Sequence, residues 1–275
     1  MRDNSRRLRR NPTVILGLVV VAVWILLGVF APIIAPKDPL KQNVSDRLQA
    51  PNPAYPFGSD ELGRDMLSRV LYGARITIPA GIAVIIIGSV IGTLVGAIAG
   101  YAGGLWDELL MRLTELFMAF PTIILALAIT AALGPDIRNA IIALVIVWWP
   151  SYARLIRGLV LEVKSKEYVE GARSVGANGF YILFNTVLPN CISPAIVLAT
   201  LDIGNAILTF AGLSFLGLGP DPSSPEWGRM VSIGIDFFDQ WWMWLYPGLA
   251  IAILVMAFNF VGDGLRDIFD PRMRK

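Results

Sequence analysis

Histidine is missing from this chain altogether, and cysteine occurs once, at Cys191. A lone thiol closes no internal disulfide, and without histidine a Cys/His zinc site is excluded. The same gap removes the Ser/His and Cys/His pairs of covalent catalysis. Lysine is nearly as sparse: Lys37, Lys41, Lys164, Lys166 and Lys275 are the full set, and none follows a glycine. A phosphate-cradling loop needs glycine, then lysine, then Ser or Thr, so no ATP chemistry is expected here. Charged residues make up 16% of the chain, against roughly 25% in an ordinary soluble domain. The net charge of +2 is dispersed among loops with no RNA or DNA motif, which points away from nucleic acid as a partner.

Apolar residues take the space that charge leaves, at 55% of 275 positions with a mean hydropathy of +0.63. Six long apolar blocks stand out, at residues 13–36, 76–101, 113–134, 139–159, 191–218 and 241–261. A helix needs about 20 apolar residues to cross a bilayer core. The expectation is one all-α integral membrane domain with six transmembrane helices and no soluble domain. The third and fourth blocks are the least clean, with Glu115, Arg154 and Arg157 at their edges. The first block, behind Arg2, Arg6, Arg7, Arg9 and Arg10, has a rival reading as a cleaved signal peptide. Its apolar run exceeds the ~7–15 residues of such a segment, which favours an uncleaved span.

Basic loops tend to stay cytoplasmic, so the N-terminal arginines place the amino end inside. Six spans then put 154–173 and the tail with Arg266, Arg272, Arg274 and Lys275 inside as well. The loop 221–240, acidic apart from Arg229, falls outside. One loop dissents: residues 37–75 fall outside yet hold Lys37, Lys41, Arg47, Arg64, Arg69 and Arg75. Asp38, Asp46, Asp60, Glu61 and Asp65 offset them in net charge.

After the first span, Pro39, Pro51, Pro53 and Pro56 break any long helix. Ser59 then offers an N-cap with Asp60 and Glu61 in the first turn. Leu62, Met66, Leu67, Val70 and Leu71 fall on one helical face, predicting a short amphipathic helix lying on the membrane or packing into the second span. Gly88, Gly92, Gly96 and Gly100 recur every fourth residue in that span, which allows close backbone approach by a neighbour. A pore-lining or hinge role is the alternative. Among the apolar blocks, Asp202 and Asn205 lie mid-way through the fifth and Asn259 late in the sixth. Charge at membrane depth is costly, so Asp202 faces the bundle interior, as a translocation-path residue or as a buried partner of a neighbouring helix.

The polar segment 160–190 interrupts this pattern. Tyr168, Val169, Ala172 and Val175 make an apolar stripe along a short helix starting near Lys164. Gly176 and Gly179 mark a turn in which both can take positive φ, and Phe180, Ile182, Leu183 and Phe184 open a second helix. Such a charged-flanked hairpin can seat in a groove on a partner, or fold back on its own bundle.

The order Glu170-Gly171-Ala172, three residues, Gly176, nine residues, Thr186-Val187-Leu188-Pro189 resembles the "EAA" loop of binding-protein-dependent ABC importer permeases. Gly171 replaces an alanine and Thr186 an isoleucine of that motif. The segment from Tyr55 to Arg75, Gly212 to Gly219 with Pro225-Glu226-Trp227-Gly228, and the tail from Leu265 to Arg274 are similar to dipeptide, oligopeptide and nickel permeases. A span preceding the permease core is typical of the C-type subunit of that group. Phe210 stands where many relatives carry an acidic residue, and Asp202 where they tend to have a small one.

The resemblance implies a type I importer permease of the bacterial or archaeal plasma (inner) membrane, both termini cytoplasmic. Its divisions are 1–36 (basic N-terminus and first span), 37–75 (external connector) and 76–275 (permease core with the coupling loop 160–190). It implies a B-type permease partner, two ABC ATPase subunits that bind ATP and Mg, an external substrate-binding protein, and di- or oligopeptide cargo. Tyr168, Glu170, Gly171, Ala172, Arg173, Val175, Gly176, Leu188 and Pro189 would couple to the ATPase. Asp202, Asn205 and Asn259 would line the path. The alternatives are a nickel or other small-solute importer and, from another class, a secondary transporter or channel using Asp202. An intramembrane enzyme is disfavoured by the missing catalytic groups.

Overall fold

The computed structural model describes residues 12–269. The N-terminal arginines and the basic residues beyond position 269 lie outside the described residues. The helices are α1 (Pro12–Ile34), α2 (Met66–Ala102), α3 (Gly104–Met118), α4 (Thr122–Leu133), α5 (Ile137–Val163), α6 (Glu167–Ser174), α7 (Gly179–Phe215), α8 (Trp227–Asp236) and α9 (Trp241–Phe269). Among the described residues, five helices are long and apolar enough to cross a membrane, and α3 with α4 makes a bent sixth candidate.

The spans alternate in direction between two ends: one carries the α6 hairpin, the other the connectors 35–65 and 216–240. α1 runs along the periphery and is apolar nearly all round. Only small residues and Val14 bury against the bundle: Gly17 under the Ala257 carbonyl of α9, Gly28 against Ala74 of α2.

The glycine stripe of α2 is a packing seam. A Cβ at Gly92 would collide with the Trp149 carbonyl oxygen of α5, and one at Gly96 with that of Ala153. At Gly100 it would lie 3.0 Å from the Arg157 carbonyl oxygen. Two backbones meet directly, as the four-residue spacing predicts. Three apolar clusters stack along the bundle: Ala97, Ile156, Val160, Val187 and Cys191 at the hairpin end, Val84, Ala140, Leu144 and Phe210 in the middle, and Met66, Ile78, Ile207, Trp227 and Leu254 towards the connector end.

Two elements depart from expectation. No separate amphipathic helix starts at Ser59. The Asp60 carboxylate accepts the Leu62 and Arg64 backbone N–H groups, and Gly63 takes φ +73°, so 59–65 is a tight turn. Ser59 donates its hydroxyl to the Asp46 carbonyl and accepts the Gln49 N–H, tying the turn to the connector. Asp65 is the actual cap, accepting from the Ser68 backbone N–H at 2.8 Å, and the helix then runs unbroken for 37 residues.

The third block is likewise not one straight rod. It breaks by 90° between Met118 and Thr122, ahead of Pro121. Proline biases its predecessor away from helical backbone, and a 12-residue α4 reaches only about 18 Å against the ~30 Å of a bilayer core. α3 therefore starts earlier than the block did, at Gly104, with Asp107 in its first turn.

Two of the dissenting cations at the connector end, Arg64 and Arg69, are buried and paired. Arg64 donates to Asp60 at 2.6 Å and to Glu61 at 2.7 Å. Arg69, 1% exposed, donates to the carbonyls of Pro39, Ser223 and Ser224 at 3.1–3.3 Å and lies 3.4 Å from Asp60. One guanidinium thus staples both connectors to the first turn of α2. Glu226 works the same way from the other side. Its carboxylate caps α8 through the Gly228 and Arg229 N–H groups and takes hydroxyls from Thr77 and Ser214.

Candidate functional site at the hairpin between α5 and α7

α5 ends at Val163, and Lys164 turns back to donate to the Gly100 carbonyl of α2 at 2.7 Å. Beneath it, Arg157 holds Asp107 of α3 through two hydrogen bonds of 2.5 and 2.7 Å. These contacts fix the platform on which α6 sits. α6 begins at Glu167, three residues beyond the expected start, with Glu167 and Glu170 in its first turn and Arg173 in its last. That distribution matches the helix dipole.

The apolar stripe splits. Val169 is fully buried against Ile182, Val187 and Ile156, and Ala172 is half-buried beside it. Tyr168 and Val175 face away, 50% and 84% exposed. Tyr168 and Val175 fall within about 20° of each other on the wheel and Val169 about 100° from Tyr168, so one face seats the helix and the other remains free. Glu170, Gly171 and Arg173 are exposed as well.

Gly176 takes φ +81° and closes the turn; Gly179 does not, contrary to the expectation for both glycines. Asn178 explains why only one is needed: its side chain accepts the Tyr181 N–H at 2.7 Å and starts α7 by itself. Gly179 is instead the point where α7 passes Tyr101 of α2. Phe180, in the first turn of α7, is 74% exposed, an apolar side chain at the hairpin that the stripe of the preceding helix did not include.

Residues Ile182–Val187 are π-helical, leading into buried Leu188 and exposed Pro189. Proline has no N–H to offer the Asn185 carbonyl, and the helix widens ahead of it.

Of the three intramembrane polar residues, Asp202 and Asn205 lie one turn apart on α7 with interacting side chains, and Asn259 stands apart from them. Asp202 is buried and accepts the Tyr152 hydroxyl of α5 at 2.9 Å. Asn205 is exposed on the next turn. Asn259 meets α7 at Gly204, on a different side of that helix from Asp202. Tyr152 was not foreseen as a partner, because an isolated tyrosine in an apolar block carries no signal of its own.

Residues 92–275 match the family model described as binding-protein-dependent transport system inner membrane component, and residues 1–51 match the N-terminal transmembrane domain of oligopeptide transport permease C. The chain is 41% identical over 274 residues to the dipeptide transport system permease protein DppC of Alkalihalophilus pseudofirmus, covering 99% of this chain and 90% of that one. It is 40% identical to the protein of the same name from Haemophilus influenzae, with 97% and 93% covered. The glutathione transport system permease protein GsiD of Escherichia coli is 44% identical, with 98% and 89% covered. Among solved structures, an inward-facing form of the MetNI methionine ABC transporter aligns with TM-score 0.61 at 21% identity, over 74% of this chain and 98% of that one. At that identity the likeness carries the fold, that of a type I importer permease. By its family match, its relatives and its helical architecture, the chain belongs to the binding-protein-dependent inner-membrane permeases of ABC transport systems.

Proposed function

We propose that this chain is the C-type membrane subunit through which an ATP-driven importer moves di- or oligopeptides handed over by an external binding protein. The carrying observation is the hairpin's free face. Tyr168 on α6, Val175 at its C-terminal cap and Phe180 in the first turn of α7 are exposed on a hairpin seated through Val169, with Glu170 and Arg173 exposed beside them. Exposed aromatic and aliphatic side chains on a rigid base are what a groove on a second protein would receive. Glu170, Gly171, Ala172, Arg173, Gly176, Leu188 and Pro189 complete that loop as motif, turn and run-out. Peptide as cargo is supported by the names of the relatives, and it is preferred to nickel on the same ground.

In this reading the hairpin end is cytoplasmic, as are both termini, and the membrane is the bacterial or archaeal plasma membrane. A B-type permease completes the pore, and two ATPase subunits bind ATP and Mg. Closure of the ATPases would drive the permease halves as rigid bodies between inward and outward access. Val175→Asp places a charge in the docking face without touching the fold. In vesicles holding the assembled transporter, it should cut ATP-dependent uptake of a labelled dipeptide at least tenfold. Unchanged uptake would remove the hairpin from the coupling path. Uptake in vesicles lacking the ATPases would instead favour a secondary transporter using Asp202.

A further inference from the structure

Burial accounts for Arg64 and Arg69 among the basic residues of 37–75, but not for Lys37 and Arg75. Arg75 is exposed on α2 at the start of its apolar stretch, and among the described residues no carboxylate lies within ion-pair distance of it. Its recorded contact is with the Tyr72 ring, 5.7 Å from the centroid. Lys37 holds its ammonium 3.1 Å above the Tyr55 ring, again without an acid.

Both line one cavity of about 710 Å³ at the connector end, with Pro32, Tyr72, Ile76 and Pro225. Asp38 also lines it, with one carboxylate oxygen already taken by the Leu40 N–H at 2.8 Å. Arg75 is shared with a second hollow of about 270 Å³ that continues down between α1 and α2. That hollow is walled by Trp24, Ile25, Gly28, Val29, Ile78 and Pro79, and among the described residues Arg75 is the charged one lining it. Ile25 and Val29 on its rim are exposed, so at membrane depth it opens towards hydrocarbon.

An apolar furrow at span depth leading up to a two-cation mouth has the polarity of an anionic phospholipid: acyl chain below, phosphate above. We infer that the α1–α2 furrow, with Arg75 and Lys37 at its head, is a binding site for an anionic phospholipid of the leaflet at the connector end. A phosphate between the two would give both cations the anionic partner that the described residues do not provide, and basic pockets between spans recognise such headgroups. The small residues Gly28 and Ala74 bring α1 and α2 together at the furrow floor, leaving width for one chain. The site depends neither on the cargo nor on the coupling role of the hairpin.

The assembled transporter, in nanodiscs of mixed phosphatidylglycerol and phosphatidylcholine, would be released and examined by native mass spectrometry for retained lipid. Retention of phosphatidylglycerol over phosphatidylcholine is expected, falling roughly fivefold for each cation removed in Arg75→Gln and Lys37→Gln. Arg112→Gln, an equal charge loss on exposed α3, should leave it unchanged. Val29→Trp fills the furrow without altering charge and should also reduce retention, whereas millimolar inorganic phosphate should not compete. Equal retention of the two lipids overturns the site, as does indifference to both cation variants. Full competition by phosphate, or a normal lipid count in Val29→Trp, would show that the furrow holds no chain and overturn it likewise. A partner subunit covering the furrow would appear as loss of the retained lipid from the wild-type complex, which is the same refutation.

Discussion

A single buried carboxylate organises the loop between α7 and α8. Glu226 receives two backbone and two hydroxyl donors, yet burial still pushes its pKa above the ordinary 4.5. A carboxyl whose folded pKa lies above its unfolded value binds protons more tightly in the fold. Its contribution to stability is therefore fullest at low pH and declines as pH rises from about 4.5 through the raised folded value. Glu226→Gln removes this titration, with one acceptor fewer for the Arg229 N–H. Thermal unfolding of the solubilised permease between about pH 4 and 8 should show the variant with the flatter slope. Parallel curves would deny Glu226 that role. The Tyr152–Asp202 hydrogen bond is the other residue-scale test. Interhelical hydrogen bonds at membrane depth are worth about 0.6–2 kcal/mol, so Tyr152→Phe should destabilise by that amount. Adding Asp202→Leu should then cost less than the two single changes summed. A strictly additive pair, measured by unfolding in mixed micelles, would show that the bond contributes nothing.

At the scale of the element, α6 is a short helix that carries a glycine it does not need. Gly171 is exposed, and a Cβ there meets nothing within 4 Å. Gly171→Ala should strengthen the helix by up to ~1 kcal/mol, with transport retained. Gly176 has equally open surroundings, but its φ of +81° makes any side chain strained. Gly176→Val should cost about 1–3 kcal/mol through the backbone alone and loosen the hairpin. Protease nicking confined to the loop 175–179 would report it, and a loop as resistant as the wild type would contradict it.

The same two glycines show how far local signals reach. Turn chemistry located the hairpin, because two glycines beside an asparagine between apolar runs have few other uses. It could not tell which glycine takes positive φ, since that depended on Asn178 serving as a cap. Nor could periodicity place the start of α2, because Ser59, Asp60 and Glu61 read as a helix start until their side chains are seen to be engaged with residues 46–64.

On the whole-molecule scale, six apolar blocks foretold the spans, since backbone in hydrocarbon must pair with itself and length then decides. The break between α3 and α4 was less legible: hydropathy continues across Pro121 although the chain turns by 90° there. Of the functional residues, the hairpin was readable because it is polar where its surroundings are not. The Arg69 staple was hidden, because its acceptors are carbonyls more than 150 positions away as well as nearby. Joining α2 to α5 is the glycine seam, and Gly96→Val should push their backbones apart. Overpacking of this kind costs at least about 1–3 kcal/mol, so the variant should melt lower and elute less monodispersely than the wild type. Retained monodispersity and melting temperature would mean that the two helices separate easily.

That seam also restricts how the protein can work. Two tall columns packed carbonyl to Cα resist slipping past one another, so in the proposed coupling a push delivered beneath Lys164 would be carried by both together towards the Arg69 knot, past Pro150 in one and Pro79 in the other. Compliance would then be left to bending at those two prolines and to the neighbours: the bent pair beside Pro121, the widened coil before Pro189, or the outlying first helix.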